Sequence, residues 1–469
     1  MEIKIIYKLN FHYEILSIAT KLKAFLLFNY MDYFSKISYI IFNIYLLYSY
    51  NIISVTIDRR LFMFSFKRKL SPALKDALSS NMYNSYRVII QYRSLKDGLE
   101  KKIKSFRGEY LFSIVSINCI AAILSSSAIK RLLEFPEVKY VMLDDYAFLC
   151  GRSVLYSNGI SLQNNNNILK GNYNLSGKGI GIGIVDSGTY PHSDLTHSNN
   201  RIKKFVDLIK GHTYPYDDNG HGTFITGLIC GSGYESKGKN RGIAENSHVV
   251  MVKAFNSTGK SYISTTLLAI ENLIDLSEEF NLKVLCLPFE TYDISAKVLS
   301  LYSQLFKKAI DNGMTIIVPS GHNGNREDSI RGIATLKEVI TVGGMDTTIG
   351  NKIYAVSSCG SSRTLCKPDF IAACVNVTSL NTDINYVSER DGMKLYPTKL
   401  KHFYVDYTGT SVGCGFIAGV CALLYEYNND LKFEDIYGLL KISAKLLKEK
   451  KYMQGNGYIN LDNILPQKT

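Results

Sequence analysis

Three short fragments of this chain contain the residue types that activate a serine hydroxyl. Asp186 stands in Gly-Ile-Val-Asp-Ser-Gly, His221 in Asn-Gly-His-Gly-Thr, and Ser411 ends Gly-Thr-Ser before an apolar stretch. A serine hydroxyl becomes an effective nucleophile when an imidazole takes its proton and a carboxylate orients that imidazole. Each fragment alone is common by chance. Their joint occurrence predicts a serine hydrolase if the three side chains meet in space.

The composition limits the classes of protein that need to be considered. A chain of 469 residues can form two or three domains, and 46% hydrophobic with 20% charged residues argues against global disorder. The net charge is +13, but the basic residues are scattered and no zinc-finger or RNA-binding signature is present. We therefore expect no nucleic-acid partner. The nine cysteines form no CxxC pair, so we expect no disulfide framework.

Short apolar runs alternate with helical patterns from Lys178 onwards, which predicts an α/β domain. Apolar runs of this length suit parallel strands that are covered by helices on both faces. The predicted strands are 180–185, 249–253, 283–287, 315–318 and 339–342, and the predicted helices are 266–280 and 296–312. Catalytic groups in such sheets lie beyond the carboxyl ends of strands, and Asp186 directly follows the first strand. His221 and Ser411 each begin a helical pattern, where unpaired backbone N–H groups can bind an anion.

The residues before this domain are predicted to form three further parts. Residues 1–62 are an apolar N-terminal segment, 63–150 contain a small α+β module, and 151–177 are a polar linker or cleavage region that leads into the domain 178–469. The uncharged stretch 38–57 is long enough for one membrane-spanning helix. Alternatively, translation starts at Met63. The protein is expected to be membrane-anchored or secreted in the first case and cytoplasmic in the second.

The three fragments resemble those of the subtilisin-like serine proteases, or subtilases, in which the order is also Asp, His, Ser. Further matches support the resemblance, which spans about residues 178–464: Gly242-Ile-Ala, Lys367-Pro-Asp and Gly457-Tyr-Ile-Asn. It implies an endopeptidase that hydrolyses peptide bonds of polypeptide substrates through an acyl-enzyme and needs no cofactor. Asp186 would orient the base, His221 would act as general base and then acid, and Ser411 would be the nucleophile.

The α+β module resembles the ferredoxin-like propeptide that precedes the catalytic domain in many subtilases. This resemblance implies a precursor that is inhibited by its own propeptide and then cleaves itself. Residues 376–407 form a stretch longer than the family norm, and we expect it to be an extra loop near the cleft.

One departure from the family concerns the oxyanion hole. The family has an asparagine after Ala-Gly, and its side chain donates the second hydrogen bond to the oxyanion. This chain reads Ser320-Gly-His-Asn-Gly. An alignment without gaps puts His322 at that position, whereas a shift by one residue puts Asn323 there. Both side chains can donate an N–H, and Asn323 is narrowly preferred.

A second departure concerns the strand edge that binds the substrate. Leu287, Pro288, Phe289 and Glu290 stand where the family commonly has Ser-Leu-Gly. Proline removes one backbone donor but leaves the carbonyls available. Glu290 could select a basic substrate side chain, although a solvated charge at the strand edge is the preferred interpretation.

Two further expectations concern metal ions and activity. Asp194 matches a position that binds calcium in some relatives, but the sequence contains no recognisable cluster of oxygen ligands. We therefore interpret Asp194 as a surface carboxylate and predict no metal site. The altered oxyanion and substrate segments also suggest a second hypothesis, a catalytically impaired pseudoprotease that binds peptides or regulates a partner. The intact set of Asp186, His221 and Ser411 argues against it.

Overall fold

The computed structural model describes residues 69–80, 83–93, 96–150, 152–153, 175–292, 295–348, 350–362 and 367–460. The apolar segment 1–62, its candidate membrane span and most of the linker 151–177 lie outside the described residues. The chain divides into two units, 1–75 and 76–469, and helix α1 (Pro72–Ser80) includes the boundary. The α+β module and the catalytic domain both belong to the second unit.

The α+β module, named here the leader module, has the strand and helix order βαββαβ. Its elements are β1 (Tyr86–Tyr92), α2 (Lys96–Ser105), β2 (Glu109–Ile114), β3 (Cys119–Leu124), α3 (Ser126–Leu132) and β4 (Val138–Leu143). The sheet order β2-β3-β1-β4, with antiparallel neighbours throughout, is ferredoxin-like. Strand β3 was not predicted, because its apolar run lacks the alternation that marks a half-buried strand.

The α/β domain is built on one large sheet with eight parallel strands. These strands are β7 (Gly181–Asp186), β8 (Ile202–Asp207), β9 (His248–Lys253), β11 (Leu282–Cys286), β13 (Thr315–Pro319), β14 (Ile340–Asp346), β16 (Phe370–Ala373) and β22 (Tyr458–Ile459). Their order in the sheet is β22-β16-β14-β13-β11-β7-β9-β8. Antiparallel β15 (Lys352–Ile353) and β21 (Ala444–Lys445) join β14 and β22.

Helices cover both faces of this sheet, which confirms the predicted α/β architecture. Ile182 and Ile184 of β7 point into one hydrophobic core, and Val185 points into another on the opposite face. The helices are α4 (Ser193–Thr196), α5 (His221–Cys230), α6 (Ile263–Asp275), α7 (Ala296–Asp311), α8 (Thr410–Tyr427), α9 (Phe433–Ser443) and α10 (Lys451–Gln454). Cores on both faces explain why every residue of β7 is buried.

Helix α8 passes a length and hydropathy test for a membrane span, and no other helix in the described ranges does so. Its apolar window is 83% buried inside the protein. The helix contacts β11, β13, β14 and β16, so its apolar character reflects its position in the core of the domain.

Shorter strands form two three-stranded sheets apart from the large one. Strand β5 (Tyr146–Leu149), which follows the leader module and is named here the leader strand, pairs antiparallel with β10 (Lys260–Tyr262) on one side and β12 (Phe289–Thr291) on the other. The space between β10 and β12 is named here the cleft. Strand β6 (Arg152–Ser153) pairs with β20 (Tyr404–Thr408), which pairs with β17 (Val377–Leu380). The hairpin of β18 (Glu389–Arg390) and β19 (Met393–Lys394) lies between β17 and β20 in sequence.

Candidate active site

The structure brings Asp186, His221 and Ser411 together. Nδ1 of His221 lies 2.8 and 2.9 Å from the two carboxylate oxygens of Asp186. Nε2 of the same ring lies 2.9 Å from Oγ of Ser411. All three residues are buried. These contacts form a continuous hydrogen-bonded chain from the Asp186 carboxylate to the Ser411 hydroxyl, which is the geometry needed to remove the serine proton.

Each of the three residues stands at the end of a regular element. Asp186 is the last residue of β7, His221 is the first residue of α5, and Ser411 is the second residue of α8. The helix beginning at His221 must pass close to the chain after Asp186. A Cβ atom on Gly222 would lie 2.0 Å from the carbonyl oxygen of Gly188, so only glycine permits this approach.

The charge of Asp186 sets the titration of His221. Burial by itself favours the neutral ring, but the charge and the hydrogen bond of the Asp186 carboxylate raise the pKa of His221 above its ordinary value. The carbonyl of Cys150 and the carboxylate of Asp217 act in the same direction. The site therefore stabilises the imidazolium that forms when the ring accepts a proton.

Asp217 organises the turn before His221, and no prediction was made for this residue. One oxygen accepts the Gly220 N–H at 2.8 Å and the Ser187 hydroxyl at 2.9 Å, while the other accepts the N–H and hydroxyl of Thr223 at 2.8 and 2.7 Å. Its carboxylate therefore links the chain after Asp186 to the start of the helix that carries His221. The available signal was Asp217-Asp-Asn-Gly before a helix, a pattern typical of side-chain-capped turns.

A buried lysine, Lys253, also holds the segment that follows Asp186. Lys253 is the last residue of β9, and its Nζ donates to the carbonyl of Ser187 and to Asp218 at 2.6 Å. The side chain is fully buried. A buried ammonium is stable only when it is paired and hydrogen-bonded. These contacts fix the backbone next to the Asp186 carboxylate.

The structure distinguishes the two candidates for the oxyanion position. The side-chain amide of Asn323 donates to the carbonyl of Ser329 at 3.2 Å. His322 lies beside Ser411, because Nε2 of its ring accepts the backbone N–H of Thr410, the preceding residue, at 3.2 Å. These contacts favour His322 over Asn323 for the oxyanion position. The alignment without gaps, which places His322 at this position, agrees with the geometry.

The leader strand β5 and the residue after it occupy the cleft beside the three catalytic candidates. The N–H of Leu149 donates to the carbonyl of Gly259 at 3.1 Å, and the N–H of Cys150 donates to the carbonyl of Pro288 at 3.4 Å. The carbonyl oxygen of Cys150 lies 3.2 Å from Nε2 of His221. The chain thus runs through the cleft in an extended conformation, with Cys150 next to the reactive groups.

The predicted substrate-binding residues have different positions in this cleft. Phe289 and Glu290 belong to β12 and pair with Leu149 and Phe148, and Pro288 contributes its carbonyl. Leu287 instead donates its N–H to Ile317, within the main sheet. Proline is tolerated at 288 because the carbonyl makes the contact with the leader strand.

Glu290 is buried, so the preferred interpretation as a solvated edge charge is wrong. Its carboxylate accepts the Tyr292 hydroxyl at 2.7 Å and the backbone N–H of His322. Burial raises the pKa of Glu290 above its ordinary value, and these hydrogen bonds oppose the shift. The thiol of Cys150, the carboxylate of Glu290 and the imidazole of His322 place ligand atoms within 4.8 Å of one another.

Asp194 is also buried, so its interpretation as a surface carboxylate is wrong. One oxygen accepts the N–H of Glu235 at 3.0 Å and the other accepts the hydroxyl of Tyr404 at 2.8 Å. A calcium ion needs six to eight oxygen ligands. Among the described residues, Asp194 belongs to no group of three or more His, Cys, Asp or Glu side chains whose ligand atoms converge.

The long stretch 376–407 contributes to the cleft. Thr382 and the hydroxyl of Tyr407 lie against Gly220, just before His221. Tyr407 and Thr408 of β20 also pair with β6, the short strand that follows Cys150. The stretch therefore contacts both the turn that carries the imidazole and the chain beyond Cys150.

The comparisons with known proteins agree with this geometry. The sequence profile of the Subtilase family matches residues 177–458. The chain is 28% identical over 370 residues to the serine protease AprX of Bacillus subtilis, covering 75% of this chain and 79% of AprX. It is 25% identical over 348 residues to subtilisin E of the same species, covering 74% and 80%.

A solved structure supports the fold. Fervidolysin from Fervidobacterium pennivorans, a keratinolytic enzyme related to subtilisin, superposes with a TM-score of 0.64 at 18% identity. The match covers 82% of this chain and 62% of fervidolysin. With the family profile matched over more than half of its length, this chain belongs to the subtilase family of serine endopeptidases.

Proposed function

We propose that Asp186, His221 and Ser411 are the catalytic triad of this serine endopeptidase. The observation that carries the proposal is the hydrogen-bonded chain in which His221 lies 2.8 Å from Asp186 and 2.9 Å from Ser411. His221 takes the proton of Ser411 as its oxygen attacks a peptide carbonyl carbon. It then returns the proton to the departing amine, and a water molecule activated by the same ring hydrolyses the acyl-enzyme.

His322 and the start of α8 form the proposed oxyanion hole. The backbone N–H of Ser411 is in the first turn of α8, where N–H groups have no partner within the helix. Because Nε2 of His322 accepts the Thr410 N–H, the Nδ1–H of the same ring is the proposed second donor. Donors of this kind stabilise the negative charge that develops on the carbonyl oxygen in the transition state.

The protein is proposed to be a precursor that cleaves its own Cys150–Gly151 bond. The leader strand lies between β10 and β12 as a peptide substrate would, and the Cys150 carbonyl oxygen is 3.2 Å from Nε2 of His221. Ser411 would form an ester with the Cys150 carbonyl carbon as the bond to Gly151 breaks. Water then releases the Cys150 carboxylate.

The leader module is proposed to inhibit the enzyme until it dissociates. Besides occupying the cleft, the module docks on the helices behind it. The carboxylate of Glu271 in α6 accepts the backbone N–H of Ser116 at 2.6 Å, and Asp144 accepts the N–H of Ser264 at 2.9 Å. A peptide held at both places excludes other substrates from β10 and β12.

Two measurements test the proposal. A fluorophosphonate probe should label the wild-type protein and fail to label the Ser411→Ala variant. The wild-type precursor should shorten on its own, and the catalytic fragment should begin at Gly151, whereas Ser411→Ala should stay at full length. Labelling that persists in Ser411→Ala would refute the role of Ser411. A new terminus at any residue other than Gly151 would refute the proposed cleavage site.

A further inference from the structure

We propose that Cys150, Glu290 and His322 bind a zinc-type divalent cation in the uncleaved precursor, and that the bound ion slows self-cleavage. The first part depends only on the structure. The second rests on the proposed self-processing at Cys150. The three residues come from the end of the leader, from strand β12 and from the loop after β13, so they meet only while the leader lies in the cleft.

The chemistry of the three ligands favours zinc. A thiolate, an imidazole and a carboxylate are the ligand types of zinc sites in proteins, and three protein ligands leave a fourth position for water. A set that includes sulfur and nitrogen selects against calcium and magnesium, which prefer oxygen ligands alone. Binding converts the Cys150 thiol to a thiolate and releases one proton to solvent.

The distances allow such a site after small adjustments. The ligand atoms lie within 4.8 Å of one another. The edges of a zinc tetrahedron with these ligand types measure about 3.5 Å, given the usual bond lengths. Rotations that move each side-chain end by about an ångström would therefore bring the three atoms to bonding distance. Cys150 and Glu290 are both buried, so little water competes for the ion.

Glu290 is already held in an orientation suited to a ligand. The Tyr292 hydroxyl donates to one of its oxygens at 2.7 Å, and the backbone N–H of His322 also donates to the carboxylate. Its other oxygen lies beside Gly321, where a Cβ atom would be 2.6 Å away. Carboxylates that bind metals are commonly fixed by hydrogen bonds of this kind.

The ion would interfere with catalysis through His322. Nε2 of the ring now accepts the N–H of Thr410, the residue before Ser411. A metal bound at Nε2 displaces this N–H, and a metal bound at Nδ1 requires a proton on Nε2, which also removes the acceptor. Either mode breaks the contact between the His322 ring and the backbone beside Ser411, and it fixes the ring of the proposed oxyanion donor in the metal site.

The fate of the ion after cleavage follows from the origin of the ligands. Cys150 departs with the leader and takes the thiolate with it. Glu290 and His322 remain in the catalytic domain but are only two of the three ligands. The mature enzyme should therefore bind zinc far more weakly than the precursor.

The binding experiment uses the Ser411→Ala precursor, which keeps the leader attached. Cobalt titrated into this protein should bind at one equivalent and produce the near-ultraviolet charge-transfer band of a cobalt–thiolate bond. Adding Cys150→Ala should remove the band and weaken zinc binding at least about 100-fold, because even outer-shell changes cost 10–100-fold. Adding Cys119→Ala, a buried cysteine of the same leader module, should change neither. No band, or a band that survives Cys150→Ala, overturns the site.

The second experiment tests the effect on cleavage. One equivalent of zinc should slow self-cleavage of the wild-type precursor at least about tenfold relative to a chelator, by removing the oxyanion donor. The Cys150→Ala precursor should cleave at the same rate with and without zinc. Equal slowing of both overturns the effect on cleavage. A precursor that binds cobalt through Cys150 but never cleaves with chelator supports the metal site and overturns both self-processing and its regulation.

Discussion

The carbonyl oxygen of Cys150 lies 3.2 Å from Nε2 of His221, although the two residues are 71 positions apart in the chain. The same nitrogen lies 2.9 Å from the Ser411 hydroxyl. One imidazole thus faces both the nucleophile and the bond proposed to be cut. The leader strand is therefore held in the position of a substrate, and changes at either end should alter processing in predictable ways.

A negative charge at position 150 should slow self-cleavage. In Cys150→Asp, a second carboxylate would enter the buried space beside Glu290, and such a juxtaposition of like charges costs several kcal/mol. We expect processing at least about 100-fold slower than in Cys150→Ala, the matched small side chain. Gel time courses of both precursors with a chelator present give the rates. Equal rates would show that the side chain at 150 does not face Glu290.

Replacing His322 should reduce turnover more than replacing Asn323. Loss of one oxyanion donor lowers kcat by about 100–1,000-fold, so His322→Ala should lose that factor in kcat with little change in KM. Asn323→Ala should stay within about tenfold of wild type, because its amide donates to the Ser329 carbonyl. Steady-state kinetics on a peptide substrate compare the two. The reverse order of effects would restore Asn323 as the donor.

Asp217→Asn should destabilise the catalytic domain. The carboxylate accepts N–H and O–H donors with both oxygens, and an amide would turn its NH₂ group towards some of them. Hydrogen bonds to charged groups contribute about 1.5–3 kcal/mol each, so the free energy of unfolding should fall by at least about 2 kcal/mol. Urea unfolding in the Ser411→Ala background measures this without self-digestion. Asp430→Asn, an exposed control, should change it by less than about 0.5 kcal/mol.

The pH profile should show the effect of Asp186 on His221. The imidazole must be neutral to accept the serine proton, so kcat/KM falls as the pH drops through the pKa of His221. Because Asp186 raises that pKa above its ordinary value, the acid midpoint of wild type should lie above that of an unperturbed histidine. In Asp186→Asn the raising charge is gone and burial favours the neutral ring, so the residual activity should show a lower midpoint. An unchanged midpoint would assign the titration to another group.

Glu271→Ala should weaken inhibition by the leader without changing catalysis. The carboxylate accepts the Ser116 N–H of the leader module at 2.6 Å and stands on α6, away from the triad. Loss of one charge-assisted hydrogen bond of about 1.5–3 kcal/mol corresponds to a roughly 10–150-fold higher inhibition constant. Separately added leader peptide and the mature enzyme provide the measurement. An unchanged inhibition constant would show that this contact contributes nothing to docking.

Much of the sheet was predictable because parallel strands that are buried on both faces have short apolar runs in their sequences. The predicted strand 180–185 became β7 (Gly181–Asp186), and the predicted helix 296–312 became α7 (Ala296–Asp311). The meeting of Asp186, His221 and Ser411 was predictable because each of them stands in a distinctive small-residue fragment at the end of an element. These are local signals, and one sequence is enough to read them.

The missed features depend on contacts between distant parts of the chain. Glu290 is buried because the leader strand pairs with β12, and no local sequence pattern predicts that pairing. In the sequence, Asp217 looks like an ordinary turn residue. In the fold, the hydroxyls of Ser187 and Thr223 both donate to its carboxylate. The choice between His322 and Asn323 depended on where the next loop placed Ser329. Such outcomes belong to tertiary structure, which propensity and spacing do not encode.

The two-sided pairing of the leader strand has a kinetic consequence. Under the proposed self-cleavage, the leader is tethered to its own cleft at a high effective concentration before the cut and becomes an independent ligand afterwards, so its occupancy then depends on the total amount of protein. Cutting one bond would leave the pairing with β10 and β12 intact. Escape of the product, rather than bond cleavage, would then set the time at which activity appears. Simple dilution should act as an activator of the cleaved protein.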